Sequence, residues 1–279
     1  MYVDLHLHTN FSDGTLSPAE VVQKAAAHGI GLISICDHNT VEAYPQLTEA
    51  CEKSGVKLLA GVEIDCFMGE RYVHLLGYGF NLNDTVLLSM LADNEQKMNY
   101  QNDSVIINMA SDYSINLDEY AAYVSPPEIG GYKNSNFLLH KGFINSIPEY
   151  FPLHTKYGVK RKDIGLPQLE QVCTIITAAG GVPVLAHPWS RLDQNNFLAE
   201  LTQAANAGVK GIECYYPDQN EEITNLCLDF CRKNNLITTA GSDDHGEFNR
   251  LIDGITYQIG EIMIYESKLG GLTWMKQQK

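Results

Sequence analysis

Long apolar runs and clusters of basic residues are both missing from this chain of 279 residues. No apolar stretch approaches the roughly 20 residues that a membrane-spanning helix needs. The N-terminus lacks the basic and apolar regions of a signal peptide, so we expect a cytoplasmic location without membrane association. The formal net charge of −15 and the absence of a Lys/Arg cluster argue against binding of extended duplex nucleic acid.

A recognisable cysteine motif is also missing. The seven cysteines are an odd number and are scattered over apolar segments, as expected for buried, reduced thiols. Cys227 and Cys231 lie four residues apart in a helical pattern. A metal or redox pair would fit this spacing, but two core residues on one helix face explain it more simply.

Apolar β-type runs alternate with helical patterns along the chain, which is typical of βα units with a parallel sheet. The pattern predicts strands at residues 2–8, 32–37, 57–66, 73–78, 182–187, 211–216 and 237–243, and another near 255–259. It predicts helices at 18–28, 41–54, 168–179, 196–207 and 221–234. Ser17, Pro18 and Glu20 form an N-terminal signature for the first helix, and His28-Gly29 is typical of its end.

The alternation stops between residues 83 and 166. This stretch is helical and polar, is punctuated by Ser125-Pro126-Pro127 and Gly130-Gly131, and is too long for one crossover helix. We therefore predict two parts. Residues 1–82 and 167–279 form an α/β domain, and residues 83–166 form a helical insertion that caps one end of its sheet or barrel.

Metal-binding residue types recur at the ends of the predicted strands, where α/β barrels and open parallel sheets carry their active sites. Six of the nine histidines lie there, whereas a random distribution would scatter them over helices and loops. His28, His140 and His154 are interpreted as ordinary polar residues. Carboxylates and imidazoles crowded at one rim require cations to offset their repulsion. The candidate ligands are His6, His8, Asp13, His38, Glu63, His74, His187, Asp243 and His245.

Mixed imidazole and carboxylate ligands suit Zn²⁺, Mn²⁺ or Fe²⁺. Nine candidates are enough for two or three ions, with a carboxylate such as Glu63 as a bridge. Clustered ions lower the pKa of a bridging water and clamp the attacking and leaving oxygens in phosphate ester hydrolysis. Hydrolysis of amides or rings at a binuclear site uses similar ligands, so residue types alone leave both reactions open.

Six segments resemble the PHP (polymerase and histidinol phosphatase) family when taken together: DLHLHTNFSDGTLSPAE, CDHN, GVE, VHLLGYG, GGVPVLAHP and GSDDHG, in this order. The resemblance covers most of the chain outside the insertion. Within the family it is nearest to the stand-alone metal-dependent phosphoesterases, which include 3′,5′-nucleotide bisphosphate phosphatases. It implies a distorted (β/α)₇ TIM-like barrel that holds two or three divalent ions.

The resemblance also implies a role for each candidate residue. One ion would bind His6, His8, Glu63 and Asp243; a second would share Glu63 and add His74 and His187; a third would use Asp13, His38 and His245. Asp37 would orient a ligand or cap the helix after Asn39. A metal-bridging hydroxide would attack phosphorus, and the phosphate would be held by Arg191 or Lys133.

The predicted function is hydrolysis of a small phosphorylated substrate, most simply a 3′,5′-bisphosphate nucleotide or a short oligonucleotide. The insertion reads GGYKNSNFLLHKG where the nucleotide branch usually carries an Arg-His element, so sugar phosphate or histidinol phosphate is an alternative substrate. A PHP module that only binds a partner is another alternative, but such modules lose ligands. An amidohydrolase-type enzyme would show a carboxylated lysine, and no lysine lies at these strand ends. The sequence leaves the oligomeric state open.

Overall fold

The strands form two sheets in the computed structural model, which describes residues 1–248 and 257–270. The first sheet contains, in spatial order, Lys57–Leu59 (β3), Ile30–Ile35 (β2), Tyr2–Leu7 (β1) and Ile264–Tyr265 (β9). The second contains Gly61–Met68 (β4), Arg71–Tyr78 (β5), Val182–Leu185 (β6), Gly211–Tyr215 (β7) and Ile237–Ala240 (β8). Single parallel bridges, Leu7 with Asp244 and His38 with Glu63, connect the two sheets.

The prediction of a parallel sheet is wrong for three strand pairs. β5 is antiparallel to both β4 and β6, and β9 is antiparallel to β1. Only two residues separate β4 from β5, which is far too short for a crossover helix, and Gly69 takes the positive φ of +64° in the turn. Because β5 is reversed, Leu75 lies opposite Leu185 at the end of β6, and the first half of β5 extends past that end. The fold is therefore a mixed α/β fold.

The strand predicted at 57–66 is two strands that belong to different sheets. The hydroxyl of Tyr44 occupies the break between them, where it donates to the Leu59 carbonyl and accepts from the Gly61 amide. Gly61 also lets Ser34 approach this break closely, since a Cβ there would lie 2.0 Å from the Ser34 hydroxyl. The strand predicted near 255–259 begins outside the described residues, and residues 257–259 form a loop and turn.

The predicted helices outside the insertion agree with the structure within a few residues: Pro18–Ala27 (α1), Tyr44–Ser54 (α2), Leu169–Ala178 (α7), Phe197–Asn206 (α9) and Glu221–Asn234 (α10). Ser17 and Glu20 form a reciprocal capping box at α1, and Gly29 follows its end with a φ of +73°. A short helix, Pro188–Arg191 (α8), follows β6. None of the described helices has both the length and the apolar character needed to span a membrane.

Residues 83–166 contain helices and no strand: Thr85–Met109 (α3), Leu117–Ala122 (α4), Lys133–His140 (α5) and Tyr150–Tyr157 (α6), with short 3₁₀ turns between them. We call this segment the cap. Its helices pack around their own apolar cluster, which includes Val105, Met109, Phe137, Leu138 and Tyr150. All seven cysteines are buried free thiols, and Cys227 and Cys231 pack in the core beneath α10, as predicted.

Candidate metal centre

The nine candidate ligands meet at one edge of the two sheets. They come from β1 and the loop after it, the loop after β2, β4, the first half of β5, and the loops after β6 and β8. The reversed direction of β5 explains how His74, near the start of its strand, reaches the same edge as residues at the ends of other strands. Each of the nine offers a donor atom to at least one compact group within 4.8 Å.

The first group contains His6, His8, Glu63 and Asp243. Nε2 of His6 lies 3.3 Å from both Glu63 Oε2 and Asp243 Oδ1. Nε2 of His8 lies 3.4 Å and 3.1 Å from the same two oxygens. Two donors bound tetrahedrally to one ion at 2.0–2.1 Å would be roughly 3.3 Å apart, so these separations suit a shared cation.

The second group contains Glu63, His74 and His187. Oε1 of Glu63 lies 2.7 Å from Nδ1 of His74 and 2.9 Å from Nε2 of His187, and these two nitrogens are 3.3 Å apart. The two oxygens of Glu63 thus face different donor groups. This is the arrangement of a bridging carboxylate.

The third group contains Asp13, His38 and His245 together with His8. Oδ1 of Asp13 lies 3.3 Å from Nε2 of His245, and Oδ2 lies 3.8 Å from Nε2 of His38. The contact with His245 is as short as that between His6 and Glu63, whereas the contact with His38 is longer than those of Glu63 with His6, His8, His74 and His187. A further cluster joins His38 and His74 to Asp65, which the sequence interpretation did not include.

Buried donor atoms provide a test of whether ions fit these groups. Nε2 of His6 and both ring nitrogens of His8 are buried and have no hydrogen-bond partner among the described residues. Such orphaned groups are costly unless something else binds them. A divalent ion would satisfy the two Nε2 atoms that face Glu63 and Asp243, and imidazole with carboxylate is a suitable donor set. The residues present therefore fit divalent cations.

Comparison with known proteins decides the family. The profile of the PHP domain matches residues 4–156, which is more than half of the chain. The chain belongs to the PHP domain family. This confirms the resemblance that the sequence motifs indicate.

Curated relatives cover nearly the whole chain at modest identity. A phosphoribosyl 1,2-cyclic phosphate 1,2-diphosphodiesterase of Eggerthella lenta is 26% identical over 90% of this chain and 97% of the relative. A 3′,5′-nucleoside bisphosphate phosphatase of Chromobacterium violaceum is 26% identical over 87% of each. A 5′-3′ exoribonuclease of Haemophilus influenzae is 24% identical over 87% of this chain and 89% of the relative. The predicted class of enzyme, a hydrolase of phosphoric esters, agrees with all three.

Two solved structures share the fold of this PHP protein. One, from Bifidobacterium adolescentis, is provisionally described as a metal-dependent phosphoesterase; it has a TM-score of 0.78 and 23% identity, covering 99% of this chain and 96% of the other. The second is described as an amidohydrolase from Chromobacterium violaceum with bound sulfate; it has a TM-score of 0.77 and 22% identity over the same shares.

Buried carboxylates outside the nine candidates contact several candidate ligands of the PHP centre and orient them. Oε1 of Glu213 lies 3.0 Å from Nδ1 of His6, and Oε2 accepts a 2.7 Å hydrogen bond from the His187 amide. Oδ1 of Asp65 lies 3.4 Å from Nε2 of His74. Carboxylates that accept from the outer nitrogen of an imidazole fix its tautomer and orientation.

Asp37 joins the loop after β1 to the end of β2. It accepts hydrogen bonds from the amide and hydroxyl of Thr9, at 2.7 Å and 2.6 Å, and from the hydroxyl of Ser12 at 2.6 Å. The alternative that Asp37 caps the next helix is wrong, because α2 begins at Tyr44 and the Asp37 carboxylate binds Thr9 and Ser12 instead.

Two candidate ligands have a positive φ, a backbone conformation that residues other than glycine rarely adopt. The φ of His187 is +25° and that of Asp243 is +55°. The Glu213 side chain accepts from the amide of His187, and the His6 carbonyl accepts from the amide of Asp243 at 2.8 Å. Backbone held in such regions is characteristic of functional sites, where surrounding contacts stabilise it.

Burial disfavours the charged form of each titratable group in the centre. At His8, burial lowers the pKa, but the nearby carboxylates of Asp243, Glu63 and Asp13 outweigh it and raise the pKa to about 10. At Glu63, the charges of surrounding histidines outweigh burial and hold its pKa well below the usual range. At His74, burial and the positive charge of Arg191 lower the pKa to about 3. The centre therefore combines anionic carboxylates with a neutral imidazole at its rim, both of which bind cations.

The donor groups open into a cavity of about 350 Å³ that we call the main cavity. Arg191, which the sequence indicates, and Arg161, which it does not, both line it. Their guanidinium carbons lie 5.6 Å and 4.2 Å from the ring centre of Tyr72. Lys133 does not line this cavity: its ammonium donates to the Ala121 carbonyl and lies over the ring of Tyr120, so its placement does not support a role in holding phosphate.

Sequence reasoning missed Glu213, Asp65 and Arg161. Glu213 stands in the apolar strand GIECY, and an acidic residue in a buried strand is a signal that it must be paired there. Asp65 follows Glu63 by two residues and so shares its face of β4. Arg161 lies in an irregular segment of the cap and carries no comparable signal.

Proposed function

We propose that this PHP protein hydrolyses a phosphoric ester of a small nucleotide, of the 3′,5′-bisphosphate type, or of a short oligonucleotide. One observation carries the proposal: the two oxygens of Glu63 face two separate donor groups on the floor of a cavity that two arginines line. Bridged cations with arginines above them suit a phosphoryl group, whose charge must be neutralised from several sides.

Two ions of Mn²⁺, Fe²⁺ or Zn²⁺ would be held by the groups that share Glu63, and a third by Asp13, His38 and His245. Ions there would activate water and neutralise developing charge on the ester. Side chains of the protein would bind and orient the phosphate. Arg191 has a buried Nε without a hydrogen-bond partner among the described residues, so this guanidinium is available to a phosphate. Tyr72 keeps it beside Arg161.

The nucleotide assignment is supported by the relatives, among which are a nucleoside bisphosphate phosphatase and an exoribonuclease. Sugar phosphate and histidinol phosphate stay alternative substrates, since the cap lacks the usual Arg-His element. A module that only binds a partner is disfavoured, because all nine positions keep residues able to bind a metal. A cytoplasmic location stays a prediction.

We also propose that the two sheets form the distorted (β/α)₇ barrel of the family. The bridges Leu7–Asp244 and His38–Glu63, which connect the sheets, support it. Residues 1–82 and 167–279 would form this barrel, and residues 83–166 would form a cap that contacts substrate.

The test is a substrate panel assayed with Mn²⁺, Fe²⁺ and Zn²⁺ in turn. It contains a nucleoside 3′,5′-bisphosphate, a short oligoribonucleotide, a sugar phosphate and histidinol phosphate. Glu63→Gln should lose activity by at least about 10²-fold, whereas Glu49→Gln, at an exposed ion pair with Lys53, should keep it. Absence of hydrolysis on every compound with every metal would contradict the proposal.

A further inference from the structure

A second cavity adjoins the main cavity beneath the cap. Its volume is about 160 Å³, and it shares Asp13, Tyr132 and Arg161 with the main cavity. We call it the cap chamber. We infer that the cap chamber receives the nucleobase of the substrate while the phosphoric ester lies in the main cavity. This inference rests on the proposed function and specifies the part of the substrate that the cap recognises.

Aromatic rings form much of the chamber wall: Tyr132, Tyr150, Phe151 and Phe248 all line it. Tyr150 and Phe248 are buried, whereas Phe151 is 48% exposed although the apolar core of the cap lies close by. Planar rings of this kind stack on nucleobases, and they do so with any base because every base has a π face. A phosphate group has no π face and cannot stack on such walls.

Polar groups at the chamber suit the hydrogen-bonding edge of a base. Asn102 on α3 lines the chamber and is nearly buried, and its side-chain amide has no hydrogen-bond partner among the described residues. The imidazole of His154 also lines it. Burial and the nearby Arg161 lower the pKa of His154, so this side chain is neutral at neutral pH. Arg161 and Asp13, which have opposite charges, also line the chamber. Its lining therefore carries no net charge, and with the amide and the neutral imidazole it suits a neutral heterocycle.

Close backbone contact keeps the chamber next to the ester. The Gly131 amide donates to the Asp13 carbonyl at 2.8 Å, and the Tyr132 hydroxyl donates to Asp13 Oδ2 at 3.2 Å. A Cβ on Gly131 would lie 2.3 Å from the ring of Phe248, so only glycine permits this approach. Gly130 and Gly131 thereby position Tyr132 between the main cavity, which would hold the ester, and the cap chamber, which would hold the base.

The experiment compares 2′-deoxyadenosine 3′,5′-bisphosphate with 1,2-dideoxyribose 3,5-bisphosphate, which is the same compound without the base. The unmodified protein should favour the adenosine compound by at least about tenfold in kcat/KM, as expected for one stacked base. Phe151→Ala should remove most of this preference by raising KM for the adenosine compound alone. Phe143→Ala, a similar truncation at an exposed cap position outside the chamber, should leave the preference intact.

Because Phe151 is partly exposed, the Phe151→Ala variant should fold. Phe248→Leu, a milder change at the buried ring, should also reduce the preference for the adenosine compound. Equal kcat/KM for the two compounds in the unmodified protein would overturn the inference while leaving the phosphoesterase proposal intact. So would an equal loss on both compounds in Phe151→Ala. Absence of hydrolysis of both compounds and of the whole substrate panel would instead overturn the proposed function, and the inference with it.

Discussion

His6 and Glu213 are in contact although 207 residues separate them: Nδ1 of the imidazole lies 3.0 Å from Oε1 of the carboxylate, and both side chains are fully buried. This contact favours a ring proton on Nδ1, so that a cation between Glu63 and Asp243 would take the Nε2 lone pair. The other oxygen of Glu213 holds the backbone of His187. One buried acid thus orients two candidate ligands that belong to different donor groups.

Glu213→Gln should weaken metal binding by roughly 10–100-fold and lower activity with it. The amide keeps the size of the side chain, but it can accept only at its oxygen, so one of the two contacts is replaced by a donor. Metal content after dialysis against a graded chelator series measures the effect. Glu170→Gln, at an exposed position of α7, is the matched control. Unchanged metal retention in Glu213→Gln, with native circular dichroism, would contradict the orienting role.

Arg191→Ala should reduce kcat/KM by about 10²-fold, because it removes the half-buried guanidinium that would hold the phosphate in the main cavity. Lys133→Ala removes an equal charge that instead contacts Ala121 and Tyr120, and should change kcat/KM less than about twofold. Steady-state kinetics on the best substrate of the panel compares the two. A larger loss for Lys133→Ala would restore the sequence-based assignment of that residue.

The convergence of the nine candidate ligands was predictable because it follows from local pattern: polar residues that end apolar strands must meet at one edge of a sheet. The reversal of β5 was not predicted, because no turn was recognised between the strands predicted at 57–66 and 73–78. Gly69 and Glu70 form that turn. His74 was nevertheless included, because its neighbours in the motif indicated it. Contacts made by tertiary structure alone, such as His6–Glu213 and the stacking of Arg161 on Tyr72, leave no spacing in the sequence.

Gly131→Ala should destabilise the protein more than Gly142→Ala does. Both glycines have positive φ, +66° and +74°, so each alanine carries a backbone cost of about 1–2 kcal/mol. Only at Gly131 does the new Cβ also meet the ring of Phe248, whereas nothing lies within 4 Å at Gly142. The clash should add about 1–3 kcal/mol. Urea unfolding measures both variants, and equal free energies of unfolding would show that the cap does not need glycine against Phe248.

Binding of Mn²⁺ should release protons from the protein at pH values above 7, where an ordinary histidine is already neutral. The neighbouring carboxylates raise the pKa of His8 to about 10, so without ions this imidazole keeps its proton above its usual value of 6.5. A bound ion must expel that proton, because a coordinating imidazole is neutral. Affinity for Mn²⁺ should therefore rise as pH rises from 6.5 towards 10, and calorimetry in buffers of different ionisation enthalpy counts the released protons.

The His8→Ala variant should release fewer protons on binding Mn²⁺. His28→Ala, at an exposed helix end, should match the unmodified protein. Release that vanishes above pH 7 in the unmodified protein would show that Asp243 and Glu63 do not hold a proton on His8.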